Sequence, residues 1–70
     1  MTAPAAAVED VFLGTLRETL KTATPEQVAA VALHWAALPG HIADAARHLI
    51  DEEVEYRLAV AHLAELELAR

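Results

Sequence analysis

The sequence predicts an all-α protein, a three-helix antiparallel bundle with a long third helix. Apolar residues recur at three- and four-residue spacings along most of the chain, which is the pattern of helices that bury one face. The hydrophobic residues are mainly alanine, leucine and valine, with few aromatic residues, and alanine and leucine are strong helix formers. All three prolines, Pro4, Pro25 and Pro39, lie at expected helix ends.

The length predicts one domain, residues 1–70, near the smallest size that a hydrophobic core supports alone. The chain contains no cysteine, so neither a disulfide nor a thiolate metal site stabilises it. Well-packed helices, a metal site with oxygen and nitrogen ligands, or self-association remain as sources of stability.

The first predicted helix covers residues 5–22, with Pro4 at its first turn, where the missing N–H costs little. Gly14 falls on its polar side and weakens the helix by about 1 kcal/mol relative to alanine. The three- and four-residue spacing predicts one buried stripe along this helix. The stripe contains Val8, Val11, Phe12, Thr15, Leu16, Thr19, Leu20 and Ala23.

The second predicted helix covers residues 25–38 and has the clearest local start signal in the chain. Thr24 is suited to be its N-cap, Pro25 its first residue, and Gln27 the residue that completes a capping box. This helix is apolar nearly all round, so we expect burial on more than one side. Its main stripe contains Val28, Val31, Ala32, Trp35 and Leu38.

The third predicted helix covers residues 42–69 and spans roughly 42 Å. That length exceeds what a 70-residue bundle needs, so we expect its end to fray or to pack on another chain. Its apolar residues form two arcs, and two arcs require two partners. One arc contains Ile42, Ala45, Leu49, Tyr56, Val60 and Leu63, and the other contains Ala43, Ile50, Val54, Leu58, Ala61 and Leu68. Between the arcs lie Ala46, Glu53, Arg57 and Ala64. We expect the first two helices to be one partner and a second copy of the chain to be the other.

We therefore predict a homo-oligomer, most simply a dimer, formed through the third helix with a contribution from the second. Large apolar and aromatic side chains supply the main contacts of such interfaces. The predicted interface residues are Trp35, Leu38, Leu49, Ile50, Glu53, Tyr56, Arg57, Leu58, Leu63 and Leu68.

Glu53 and Arg57 are included because they lie between the two apolar arcs, four residues apart. One interpretation is a partly exposed helix pair that stabilises by roughly 0.3–0.5 kcal/mol. The other is a pair buried between subunits, where it would fix register and orientation.

A second hypothesis is an oligomeric metal-binding bundle that uses the polar side of the third helix. Imidazole and carboxylate groups together suit zinc, iron, manganese or nickel. His48 and Glu52 are spaced to share one ion, whereas His62 lies about 21 Å along the axis from His48. Ligands from two or more chains would have to converge. The candidate ligands are His48, Glu52, Glu55 and His62. An ordinary solvated helix face is the alternative interpretation.

Other functions have little support in the composition. The absence of serine and cysteine leaves few nucleophiles for an enzyme, and the net charge of −6 opposes binding to nucleic acid or anionic membranes. The N-terminus lacks the pattern of a signal peptide, so we expect a cytoplasmic protein. The sequence thus favours a small acidic adaptor, docking or regulatory subunit that is not an enzyme, uses no cofactor and binds a protein partner.

Overall fold

Three α-helices follow one another along the chain: α1 (Ala5–Thr22), α2 (Pro25–Ala36) and α3 (His41–Leu68). The structure is a computed structural model that describes residues 5–70. The predicted all-α class is confirmed, and each observed helix end lies within two residues of its expected position. Pro4, predicted to begin the first helix, lies outside the described residues.

The predicted capping box is present at the start of α2. The Thr24 hydroxyl accepts a hydrogen bond of 3.1 Å from the Gln27 N–H, and the Gln27 side-chain oxygen accepts one of 2.8 Å from the Thr24 N–H. The helix ends at Ala36 because Leu38 precedes Pro39, and a residue before proline is disfavoured in the helical conformation.

Contacts between the helices define their directions. Glu9 Oε1 of α1 lies 2.7 Å from His41 Nε2 at the start of α3, while the end of α1 contacts Arg57, sixteen residues further along α3. These two helices therefore run in the same direction. The end of α2 contacts Arg47, nearer the start of α3, so α2 runs the opposite way.

The core is small and lies where the three helices meet. Leu20 of α1, Val28 of α2 and Leu49 and Ile50 of α3 form its buried cluster. Ala43 and Ala46 are also buried on α3, where their small side chains allow close helix approach. Both α1 and α2 pack mainly on α3. The partly buried residues around the cluster are Leu13, Leu16, Ala23, Val31, Ala32 and Trp35.

The stripe predicted for α1 is rotated relative to the observed buried face. The structure packs Leu13, Leu16 and Leu20 against the core, whereas Val8 and Val11 are 59% and 70% exposed. The spacing of Leu13, Leu16 and Leu20 is as helical as that of the predicted stripe. Periodicity alone could not choose between these overlapping faces.

The expectation that α2 is buried on more than one side is wrong within the chain. Val28 is buried and Trp35 is half-buried, but Leu33 on the opposite side is 79% exposed. Trp35 packs against Phe12 of α1 with ring centroids 5.7 Å apart. This aromatic pair links α1 to α2 beside the core.

The two apolar arcs of α3 also pack differently from the expectation over the first half of the helix. Ala46, which lies between the arcs, is fully buried, with Leu49 from one arc and Ile50 from the other beside it. The arcs are the two sides of a single core face, which α1 and α2 cover together. Leu49 and Ile50 are therefore covered within the chain, whereas Val54 and Tyr56 further along the two arcs stay exposed.

Alanine substitutions at the two glycines should have opposite effects on stability. Gly40, the N-cap of α3, has φ 105° and ψ 163°, so Gly40→Ala should destabilise the fold by about 1–3 kcal/mol. Gly14 lies within α1 with no atom within 4 Å of an added Cβ, so Gly14→Ala should stabilise by about 0.5–1 kcal/mol. Urea unfolding at one protein concentration, followed by circular dichroism, measures both. A loss of stability in Gly14→Ala would contradict this prediction.

Candidate functional site

The last three turns of α3 have no cover from α1 or α2. Every residue from 58 to 68 is exposed, and this segment, which we call the α3 extension, is about 16 Å long. It contributes to the elongated shape of the molecule, which measures 58 × 26 × 17 Å. The radius of gyration of 15.1 Å exceeds the value of about 11 Å expected for a compact chain of this length.

The α3 extension is strongly apolar. Its large hydrophobic side chains are between 47% and 87% exposed, and exposed Val54 and Tyr56 precede them on the same helix. At about 100° per residue, Val60, Ala61 and Ala64 continue the direction of the core face of α3. The core face thus continues past the point where α1 and α2 cover it. The exposed large residues of the extension are Leu58, Val60, Leu63, Leu66 and Leu68.

Arg57 marks the boundary between the covered and uncovered parts of α3. One of its terminal nitrogens donates hydrogen bonds of 2.7 Å to the carbonyl oxygens of both Leu20 and Ala23. These carbonyls lie at the C-terminal end of α1, where the helix leaves acceptors without intrahelical partners and where a positive charge is favourable. Arg57 therefore caps α1 from a different helix.

Arg47, also on α3, caps the C-terminal end of α2. Its Nη1 donates hydrogen bonds of 2.7 Å to the carbonyl oxygens of Trp35 and Leu38, and its Nη2 pairs with exposed Asp44. Neither arginine contact was foreseen from the sequence. The available signal was that α1 ends without a glycine to close its last turn, so other donors were needed there.

The Glu53–Arg57 pair lies within the chain. Arg57 Nε is 3.9 Å from Glu53 Oε1, and the two side chains are 30% and 11% exposed. Because Arg57 also binds the end of α1, the pair is part of the contact between α1 and α3. Both side chains are partly buried within one chain, and burial between subunits stays a prediction.

The other predicted interface residues divide into two groups. Leu49 and Ile50 are buried in the chain's own core, and Trp35 packs against that core, so these side chains are used within the chain. The exposed group is available to a partner, with Leu38 near the start of α3 and the other members towards its end. This group consists of Leu38, Tyr56, Leu58, Leu63 and Leu68.

The predicted metal ligands do not assemble into a site in one chain. His48 Nε2 lies 2.9 Å from Glu52 Oε1, and both side chains are more than half exposed. Across residues 5–70, no three histidine, cysteine, aspartate or glutamate side chains are close enough to hold an ion. The structure thus brings His48 and Glu52 together without adding Glu55 or His62.

A groove of about 530 Å³ lies between α1 and α3, beside the start of the α3 extension. Leu20, Leu49 and Tyr56 form its apolar lining, and Arg17 and Lys21 line it on the α1 side. Glu52 and Glu53 line the α3 side. The groove and the α3 extension together form a continuous surface with an apolar centre and charged edges.

These features define a class: a small all-α protein with a minimal core and a protruding, apolar helix end. The chain matches no protein-family model, curated protein or solved structure at a significant level. Within residues 5–70, each helix is too short or too polar to cross a membrane.

Proposed function

We propose that the chain is a small acidic protein–protein interaction module that works as a homo-oligomer, with the α3 extension as its docking element. The supporting observation is that the core face of α3 continues uncovered for three turns beyond Arg57. Helices with one apolar face gain most of their stability by packing that face. A partner chain that covers the extension would supply this packing.

The role that fits such a surface is that of an adaptor, docking or regulatory subunit. Its contacts would be helix against helix, with large apolar residues in the centre. Tyr56, Leu58 and Leu63 are each more than 60% exposed, and burial of apolar surface stabilises by roughly 25 cal/mol per Å². Association could thus proceed without any rearrangement of the small core.

Replacing Leu63 with glutamate should dissociate the oligomer. Leu63 is 61% exposed and lies outside the core cluster, so the variant should keep its helical content while losing its apolar contact. Light scattering at micromolar concentration should give more than the 7.5 kDa of one chain for the unmodified protein, and 7.5 kDa for Leu63→Glu.

His62→Glu is the matched control, because it introduces the same charge one residue away, on the polar side of α3. This variant should remain associated. A monomeric unmodified protein would overturn the proposed function. Dissociation by EDTA would favour the metal-binding hypothesis instead, because the proposed interface requires no ion.

A further inference from the structure

A single row of α3 residues joins the groove to the α3 extension. The spacing along this row alternates between four and three residues, which is the pattern of helices that pair with one another over their length. Leu49 and Glu53 lie in the groove, Tyr56 borders it, and the remaining members lie beyond it on the extension. The row contains Leu49, Glu53, Tyr56, Val60, Leu63 and Glu67.

The groove and the α3 extension differ in the charged side chains that surround the row. Glu53 is 11% exposed and pairs with Arg57, and Glu52 pairs with His48 at 2.9 Å. Glu53 thus has its cation within the chain, whereas His48 balances Glu52 only when it is protonated. On the α1 side, Lys21 Nζ lies 3.5 Å from Glu18 Oε1, an exposed pair that water and salt screen. Arg17, which forms no ion pair within residues 5–70, and Lys21 are the cations that the groove offers to a partner. The extension, in contrast, carries Glu65 and Glu67.

We propose that the occupant of each groove is the α3 extension of a second copy, with the two α3 helices antiparallel about a two-fold axis near Val60. This inference rests on the proposed function. Tyr56 lies four residues before Val60, and Leu63 lies three residues after it. Tyr56 of one copy therefore faces Leu63 of the other. The same geometry places Glu67 of one copy opposite Glu53 of the other, whose carboxylate already pairs with Arg57. It also brings Glu67 to the level of Arg17 and Lys21, which line the same groove.

A second copy is favoured over an unrelated partner because one chain carries both halves of the contact. A two-fold pair uses the same surface on both subunits and closes without further association. In a parallel pair, Glu67 would instead lie beside its own counterpart, and both grooves would stay open.

The exposed area is sufficient for such a pair. The chain exposes 5507 Å², whereas a compact protein of its mass exposes roughly 4,250 Å². The excess of about 1,250 Å² per copy compares with about 800 Å² that each partner buries in a standard stable interface. An interface of standard size therefore fits within the surface that the chain leaves exposed.

Disulfide cross-linking tests the direction of the helices, and the chain contains no cysteine that could interfere. The Tyr56→Cys and Leu63→Cys variants are prepared separately, mixed and oxidised. Mass spectrometry then distinguishes the mixed disulfide, which joins the two variants, from disulfides that join two copies of the same variant. The mixed disulfide should exceed each same-variant disulfide by about fivefold or more, because a disulfide needs Cα atoms about 4.4–6.8 Å apart. Glu65→Cys, which points away from Tyr56 on the helix, is the control and should cross-link with neither.

Predominant same-variant disulfides of Leu63→Cys would show a parallel pair and overturn the inference. A dimer in light scattering that forms no disulfide in any combination would place the interface elsewhere. That result would overturn the inference while leaving the proposed function standing, whereas a monomeric unmodified protein would overturn both.

Charge reversal supplies a second measurement that does not depend on cross-linking. Glu67→Lys should raise the dissociation constant of the dimer about tenfold, since two such contacts occur in a two-fold pair. Adding Arg17→Glu and Lys21→Glu to that variant should restore most of the affinity. If Glu67→Lys leaves the dissociation constant unchanged, the groove is not the site that receives the extension.

Discussion

Replacing Arg57 with methionine should lower the free energy of unfolding by about 2–4 kcal/mol. The change removes two hydrogen bonds from a charged donor to the carbonyl oxygens of Leu20 and Ala23. It also leaves the Glu53 carboxylate, 11% exposed, without its cation. Chemical denaturation followed by circular dichroism measures the loss, which approaches the whole stability of roughly 3–5 kcal/mol expected for a core of this size.

Glu53→Gln separates the cost of the lost Arg57 hydrogen bonds from the cost of leaving the Glu53 carboxylate unpaired. If the unpaired carboxylate accounts for part of the cost, Arg57→Met together with Glu53→Gln should be more stable than Arg57→Met alone. Arg47→Met is a further comparison, because its carboxylate partner Asp44 is 73% exposed and can be solvated by water. A loss below about 0.5 kcal/mol in Arg57→Met would mean that the arginine acts only as an exposed helix pair.

Local signals explain why the helix positions could be predicted. The capping box of Thr24 and Gln27 and the break at Pro39 act within a few residues, so their effects follow from the sequence directly. Gly40 likewise lies where φ is 105°, a conformation that favours glycine. Short-range chemistry of this kind sets where each helix begins and ends.

The orientation of each helix about its axis could not be predicted in the same way. In α1, the faces containing Val11 and Leu13 are both apolar, and the choice of Leu13 depends on how α1 crosses α3. In α3, Arg57 appeared from the sequence only as a partner of Glu53, four residues away. Its contacts with Leu20 and Ala23 join residues 37 and 34 positions apart, beyond the range of any local pattern.

The candidate site was predictable in part. The length of α3 indicated surplus helix, and the structure places that surplus in residues 58–68, all of them exposed. The groove beside it depends on Arg17 and Lys21 of α1, and their place next to Tyr56 follows only from the packing of α1 on α3. Sequence periodicity thus indicated the exposed end of α3 but not the groove that borders it.

Replacing Leu20 with alanine should abolish cooperative unfolding or leave it barely detectable. Leu20 is 1% exposed and is the largest fully buried side chain of the described residues, and it contacts a cluster with members from α2 and α3. Truncating such a leucine typically costs about 3–5 kcal/mol because the cavity adds to the lost burial. That cost equals the stability expected for so small a core.

Leu33→Ala is the matched control, because it makes the same chemical change on α2 at a side chain that is 79% exposed. Its effect should lie within about 0.5 kcal/mol, as for surface substitutions in general. Leu20→Met, which conserves volume, should cost less than about 1.5 kcal/mol. If Leu33→Ala were as harmful as Leu20→Ala, the outer face of α2 would have to be covered by a partner chain, and the α3 extension could not be the principal docking surface.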